Sequence, residues 1–216
     1  MPSVDVVVSV ISGELEVKNA ARDRALVESR QVIRHCANAI RALHRGDFEA
    51  ARPNLLAGRD MVSAIRLDLA NHPDLYWAGY VQDAQKELSE AHIVAAIIQR
   101  LEIPGPTELA VENAPYLNGL AEAASEMRRF ILDAIRTGAS SAMDDAERVL
   151  RVMDDIYTSL ISVDFPDSIT GGLRRTTDSL RAVLERTRGD LTVTMRQAEL
   201  EQALRLSGTL PTQPGL

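Results

Sequence analysis

The sequence predicts an all-α fold, and three observations predict it. Aromatic residues are only 4% of the 216-residue chain while apolar residues reach 45%, so a sizeable core has to be built from Ala, Leu, Val and Ile. Abundant Ala, Leu, Glu and Arg with few aromatics is a helical composition. Apolar positions recur at helical spacing through long segments, with almost no alternating strand pattern.

Taken in order, the first helix is predicted from about Glu14 to His44, with Leu26, Ile33, Cys36, Ile40 and Leu43 on one face and Gly46 as its stop. A second runs from Phe48 to about Leu69, with Asp47 as N-cap and Pro53 tolerated near the start. "NHPD" breaks the chain, and Pro73 opens a third helix reaching about Arg100. After "EIPGPTE" comes a short turn at Thr107–Val111, then a fourth long helix from about Pro115 to Arg136, ending at "TGASS". A fifth spans roughly Met143 to Ser162. "DFPDSITGG" follows, then a last helix to about Leu206. No linker and no internal repeat divides this series. Residues 1–206 therefore read as one all-α domain of mostly long, antiparallel helices, and 207–216, rich in Pro and Gly, as a disordered tail.

Composition excludes several functions. Cys36 is the only cysteine, so no disulfide and no cysteine zinc site forms within one chain. The apolar run "VDVVVSVIS" is interrupted by Asp5 and has no basic residue before it, so it reads as neither a signal peptide nor a membrane span. A cytoplasmic protein is expected. No glycine-rich phosphate loop follows a strand, and no G-x-S-x-G occurs. The formal charge of −7 argues against an ordinary nucleic-acid binder. The cations, however, are nearly all arginine, the better phosphate fork, with only Lys18 and Lys86 as lysines.

Two acidic pairs stand out. In "AQKELSEAH" (84–92), Glu87 and Glu90 share a helix face with Asp83; in "YLNGLAEAASEMRRFILDAI" (116–135), Glu122 and Glu126 are one turn apart on the face of Asn118. Either pair alone is ordinarily a solvated face. Brought together by antiparallel packing, four carboxylates cannot all stay ionised without a cation between them. Oxygen-only ligands suit Mg²⁺ or Mn²⁺. A ferritin-like di-iron centre needs Glu-x-x-His, which the sequence lacks. On the first helix Arg30, Arg34, Arg41 and Arg45 fall within about 60° of one another, a stripe able to track a phosphate backbone or simply to face solvent. His35 and His44 carry no clear signal. Tyr76, Trp77 and Tyr80 offer base stacking, but in an aromatic-poor chain such a cluster is more often core.

Three blocks resemble the translin/Trax family: "SRQVIRHCANAIRALHR" (29–45), "QKELSEA" (85–91) and "PYLNGLAEAASEMRR" (115–129), the last carrying the family's Tyr-Leu-x-Gly helix. The resemblance extends over nearly all of residues 20–205. It implies a translin-like single domain of about seven helices, assembled as a homo-oligomer, typically an octamer, whose hollow interior binds single-stranded RNA or DNA. In Trax subunits a cluster of acids adds Mg²⁺-dependent endoribonuclease activity; translin lacks acids at the key positions. Matched residue by residue, the Trax acids fall on Glu87, Glu90, Glu122 and Glu126, all acidic here, although Trax has aspartate where this chain has Glu122.

The expectation is therefore a homo-oligomeric endoribonuclease in which those four glutamates hold Mg²⁺ (or Mn²⁺) and act on single-stranded RNA. Arg30, Arg34, Arg41 and Arg45 position the backbone, and water attack leaves a 5′-phosphate and a 3′-hydroxyl. The apolar segment "HIVAAIIQ" (92–99) is read as a further sign of assembly. Two alternatives stay open: a translin-like oligomer that binds single-stranded RNA or DNA without cutting it, and a helical scaffold with no nucleic-acid role.

Overall fold

The computed structural model describes residues 3–137 and 140–207. Among these every regular element is a helix, nine in all: α1 (Val4–His44), α2 (Phe48–Asp68), α3 (Pro73–Tyr76), α4 (Gly79–Gln99), α5 (Pro106–Leu109), α6 (Asn113–Thr137), α7 (Ser140–Leu160), α8 (Asp167–Thr170) and α9 (Leu173–Leu206). Three of them, α3, α5 and α8, are four residues long, which leaves six long helices against the expected total of about seven. The tail from 208 onward lies outside the described residues.

Local chemistry explains most boundaries. α1 stops at His44, with Arg45 as C-cap and Gly46 in the left-handed region at φ 72°. Asp47 caps α2, its Oδ1 accepting from the Ala50 N–H at 3.1 Å. Two expectations need correction. α1 begins at Val4, ten residues before Glu14, because no proline interrupts the valine-rich run and Asp5 sits in the first turn, where the helix dipole favours an acid. The helix expected from Pro73 to Arg100 is two helices. Ala78 is extended at ψ 146°, and the Gln82 side-chain amide donates to the Tyr76 carbonyl at 2.9 Å, satisfying an acceptor that the break leaves open.

The chain divides into two compact units: residues 1–123 with 165–173, and residues 124–164 with 174–216. The first holds α1 to α5, the start of α6, and α8. Its core packs Val32 and Cys36 of α1, Val62 and Ile65 of α2, and Val81, Ala84, Leu88 and Ala91 of α4. Gly58 of α2 permits this approach, since a Cβ there would lie 3.2 Å from Leu88 Cδ1 and 3.6 Å from Cys36 Sγ. Tyr76 and Tyr80 pack against the core, but Trp77 is exposed and meets Tyr76 edge-on at 5.4 Å. The aromatic cluster is thus only partly core.

In the second unit, α7 buries Ala146, Val149, Met153, Ile156 and Leu160, a 3-4-3-4 spacing matched on α9 by Leu180, Leu184, Thr187 and Leu191. Arg128 joins α6 to α9 through Asp190 at 2.7 Å and Thr187 at 3.1 Å, and Arg188 joins α9 to Asp154 of α7 at 2.7 Å. The segment read as a sign of assembly leaves no free face: Ile93 to Ile97 are each at most 5% exposed in the single chain. Exposed apolar side chains cluster instead at the start of α1, where Val4, Val8, Ile11 and Leu15 follow a 4-3-4 spacing. No helix of the described residues is long and apolar enough to cross a membrane.

Candidate metal centre

The site is built where the first turns of α6 cross the middle of α4. Gly119 makes the crossing possible. A Cβ at this position would stand 2.6 Å from the Lys86 carbonyl oxygen, 2.8 Å from Ser89 Cβ and 3.1 Å from the Glu90 nitrogen. No real side chain fits against backbone at that range, so only glycine lets the helices come so close. Ser89 is fully buried at the crossing and turns its hydroxyl back onto the Gln85 carbonyl at 2.9 Å.

Close contact at Gly119 sets Glu122, three residues further along α6, beside Glu87 and Glu90. One carboxylate oxygen of each lies within 4.8 Å of the others. Ligand oxygens on an octahedral Mg²⁺ are separated by about 3 to 4 Å, given bonds of about 2.1 Å. The group therefore fits a hard divalent cation with only small side-chain adjustment. All three residues are half-buried, the Glu87 and Glu122 side chains being 27% and 35% exposed. This is not the freely solvated acidic face that periodicity alone allowed.

Lys86 supplies a positive charge that sequence reasoning passed over. Its Nζ lies 2.9 Å from Glu122 Oε1, 2.8 Å from Glu122 Oε2 and 3.5 Å from Glu87 Oε1. Its presence was visible in the sequence: it is one of two lysines, set directly against Glu87. Burial works against its ammonium, but the hydrogen bond and charge of Glu122, with Glu87 and Asp83, more than offset it and hold its pKa above the usual lysine value. Burial pushes the Glu87 carboxyl up; Lys86 lowers it, Glu122 and Asp83 raise it again, and the net direction is upward. Behind the site lies Cys36, whose thiol is pushed up to about 12 by burial first and then by the charges of Glu87 and Glu90.

The remaining expected residues are placed as follows. Glu126 is one turn beyond Glu122 on α6, in the second unit, with Arg129 Nη1 4.0 Å from its Oε1; the group of three does not include it. Asn118 serves the fold, donating to the carbonyls of Ala114 at 2.9 Å and Thr170 at 2.7 Å. Arg30, Arg34 and Arg41 of α1 and Arg45 at its C-cap are all exposed, and Arg41 donates to Asn38 Oδ1. His35 shares a hydrogen bond with Asn54 Oδ1 at 2.9 Å, tying α1 to α2.

Upstream of the acids, α4 is fastened by a ring of polar contacts. Gln85, 1% exposed, accepts from the Glu112 N–H at 2.7 Å and donates to the Tyr76 hydroxyl at 3.3 Å, and that hydroxyl donates to Glu112 Oε1 at 2.7 Å.

No protein-family model matches the chain. An uncharacterized protein of Methanocaldococcus jannaschii is 29% identical over 190 residues, which is 87% of this chain and 82% of that protein. Among solved structures, AfC3PO in complex with duplex RNA is similar at 30% identity with a TM-score of 0.81, over 88% of this chain and 97% of that one. AfC3PO in a second crystal structure gives 0.80 at the same identity and coverage. Apo-NeC3PO, 17% identical with a TM-score of 0.77 over 90% and 98% of the two chains, shares the fold.

Proposed function

The chain belongs to the translin family of C3PO proteins, and on that premise we propose that it is a Mg²⁺-dependent endoribonuclease of single-stranded RNA that works as a homo-oligomer. The observation that carries this reading is the convergence of Glu87, Glu90 and Glu122 from two helices onto one point. AfC3PO, the relative solved with duplex RNA, supports RNA as the ligand class.

Glu87 and Glu90 of α4 and Glu122 of α6 would hold the cation, Mg²⁺ or Mn²⁺; Glu126, the fourth acid that the family resemblance implies, lies one turn further along α6 and outside the group of three. When bound, the ion supplies Lewis-acid stabilisation of phosphoryl charge and makes water a better nucleophile at neutral pH. The protein's part is to keep three half-buried carboxylates together at a crossing fixed by Gly119, so that little rearrangement is needed on binding. Arg30, Arg34, Arg41 and Arg45 present exposed guanidinium groups along α1 for phosphate contacts. Assembly is supported by the exposed Val4, Val8, Ile11 and Leu15 spacing on α1.

A second reading, an oligomer that binds RNA without cutting it, is favoured by the ion pair that Lys86 already makes with Glu122. Incubating the purified protein with end-labelled single-stranded and duplex RNA, in Mg²⁺ or in EDTA, separates the two. Cleavage of the single strand in Mg²⁺ and not in EDTA is expected. Binding of RNA without cleavage in either condition assigns the protein to the second reading, and cleavage in EDTA refutes the metal site.

A further inference from the structure

Lys86 belongs to α4, yet its ammonium sits across the crossing on Glu122 of α6, in contact with both oxygens of that carboxylate and 3.5 Å from Glu87. An ordinary interhelical ion pair joins one cation to one acid. This ammonium lies between two acids from different helices, both of them members of the group of three. Its side chain is 24% exposed, so it is held there rather than extended into solvent. Gly119 lets α6 pass directly over the Lys86 carbonyl, which brings Glu122 within reach of the ammonium.

Resting on the reading that Glu87, Glu90 and Glu122 hold a divalent cation, we propose that Lys86 is a built-in competitor for that cation. Its ammonium holds Glu122 in the metal-free protein and must give up at least one Glu122 oxygen when the ion binds. Charge arithmetic adds a second consequence. The three converging carboxylates, Glu126 lying outside their group, and one ammonium carry a net −2, which one divalent ion neutralises. Lys86 thus fills the place of a second metal ion, and the site takes one ion per chain. It tunes affinity through Glu122 and is a positioning residue rather than a group that touches RNA.

Mn²⁺ titration followed by electron paramagnetic resonance tests this without reading cleavage. Wild type should bind one Mn²⁺ per chain at this site, counted against the triple variant Glu87→Gln, Glu90→Gln, Glu122→Gln as the blank. Lys86→Met, which keeps an unbranched stem out to Cε and removes the charge, should bind Mn²⁺ about tenfold more tightly or more, as expected for removal of one partly shielded charge at contact distance. Lys86→Arg should stay near wild type. In the Glu122→Gln background Lys86→Met should bring almost none of that gain, because the competition runs through Glu122. Lys86→Gln replaces Lys86→Met if the latter does not fold. Equal Mn²⁺ affinity in wild type and Lys86→Met overturns the role of Lys86 while leaving the metal site standing, as does a second ion bound by wild type. No Mn²⁺ binding by either protein overturns the metal site and this role together.

Discussion

The arginines of α1 and the glutamates of α4 and α6 occupy the same kind of position in the sequence, each set lying together on one face of its helix. Arg30, Arg34, Arg41 and Arg45 remain individually exposed and are spread along about 22 Å of helix axis. Glu87, Glu90 and Glu122 are half-buried and meet within 4.8 Å because two helices cross. Like charge along one helix creates a surface; like charge converging from two helices creates a demand for a cation. The first is worth a share of a salt-dependent phosphate attraction, whereas in the second burial, with the charge of Glu122 added, raises the Glu87 carboxyl pKa, and a lysine sits against the acids.

That contrast is most easily broken at Gly119. Gly119→Ala gains helix propensity of about 1 kcal/mol but drives a methyl group into the Lys86 carbonyl, which cannot yield without moving α4. Overpacking costs about 1–3 kcal/mol, and against backbone that cannot yield it outweighs that gain, so the urea midpoint should fall and RNA cleavage should be lost with it. An unchanged midpoint would mean that α4 and α6 are free to separate. Next in size are the acids. Glu87→Gln and Glu122→Gln should each lower Mg²⁺-dependent cleavage by roughly a hundredfold or more, since even residues supporting a ligand cost 10–100-fold, while circular dichroism stays that of wild type. Glu122→Asp should keep activity. Cleavage by the Gln variants at the wild-type rate would return the acids to the status of a surface.

The arginine face should respond by degrees. Replacing Arg30, Arg34, Arg41 and Arg45 together by Ala should weaken single-strand RNA binding and flatten its dependence on salt, with the fold intact. Unchanged affinity would leave the stripe with no part in binding. The smallest effect is a pH dependence. Because the folded Glu87 carboxyl is held above its ordinary range, the folded chain keeps a proton there that the unfolded chain has released. Glu87 therefore opposes folding above its raised pKa, and that penalty disappears as the pH falls through it toward the unfolded value of 4.5. In EDTA, chemical unfolding should show a rise in stability on mild acidification that Glu87→Gln flattens; identical profiles would contradict the burial of this carboxyl. Cys36, pushed up to about 12, should resist alkylation at pH 8 until the protein unfolds.

Much of this was legible in the sequence, and the exceptions have physical causes. The Asp47 cap, the Gly46 stop and the extent of α6 follow from short-range chemistry and were found. The break at Ala78 was missed because it depends on one extended residue and on the reach of the Gln82 side chain, neither of which interrupts the apolar period. The apolar segment 92–99 reads as a sign of assembly, yet its centre, Ile93 to Ile97, is buried in the single chain. Periodicity gives the face of one helix and says nothing of what lies opposite. The meeting of Glu87 and Glu90 with Glu122 therefore follows from the residues only if the two helices pack antiparallel, with the family resemblance assigning the acids, and the contact of Lys86 across the crossing has no periodic signal.

Gln85 gives α4 a property that distances do not capture. A helix resting on a glycine contact is fixed in separation but free to roll about its own axis, and a roll of one residue is 100°. The buried Gln85 amide, held by the Glu112 N–H and the Tyr76 hydroxyl, sets the angular phase of α4. Glu87 and Glu90 inherit their aim from it, two and five residues further on. The placement of the three carboxylates is thus specified by two coordinates from two different residues: a radius from Gly119 and an angle from Gln85.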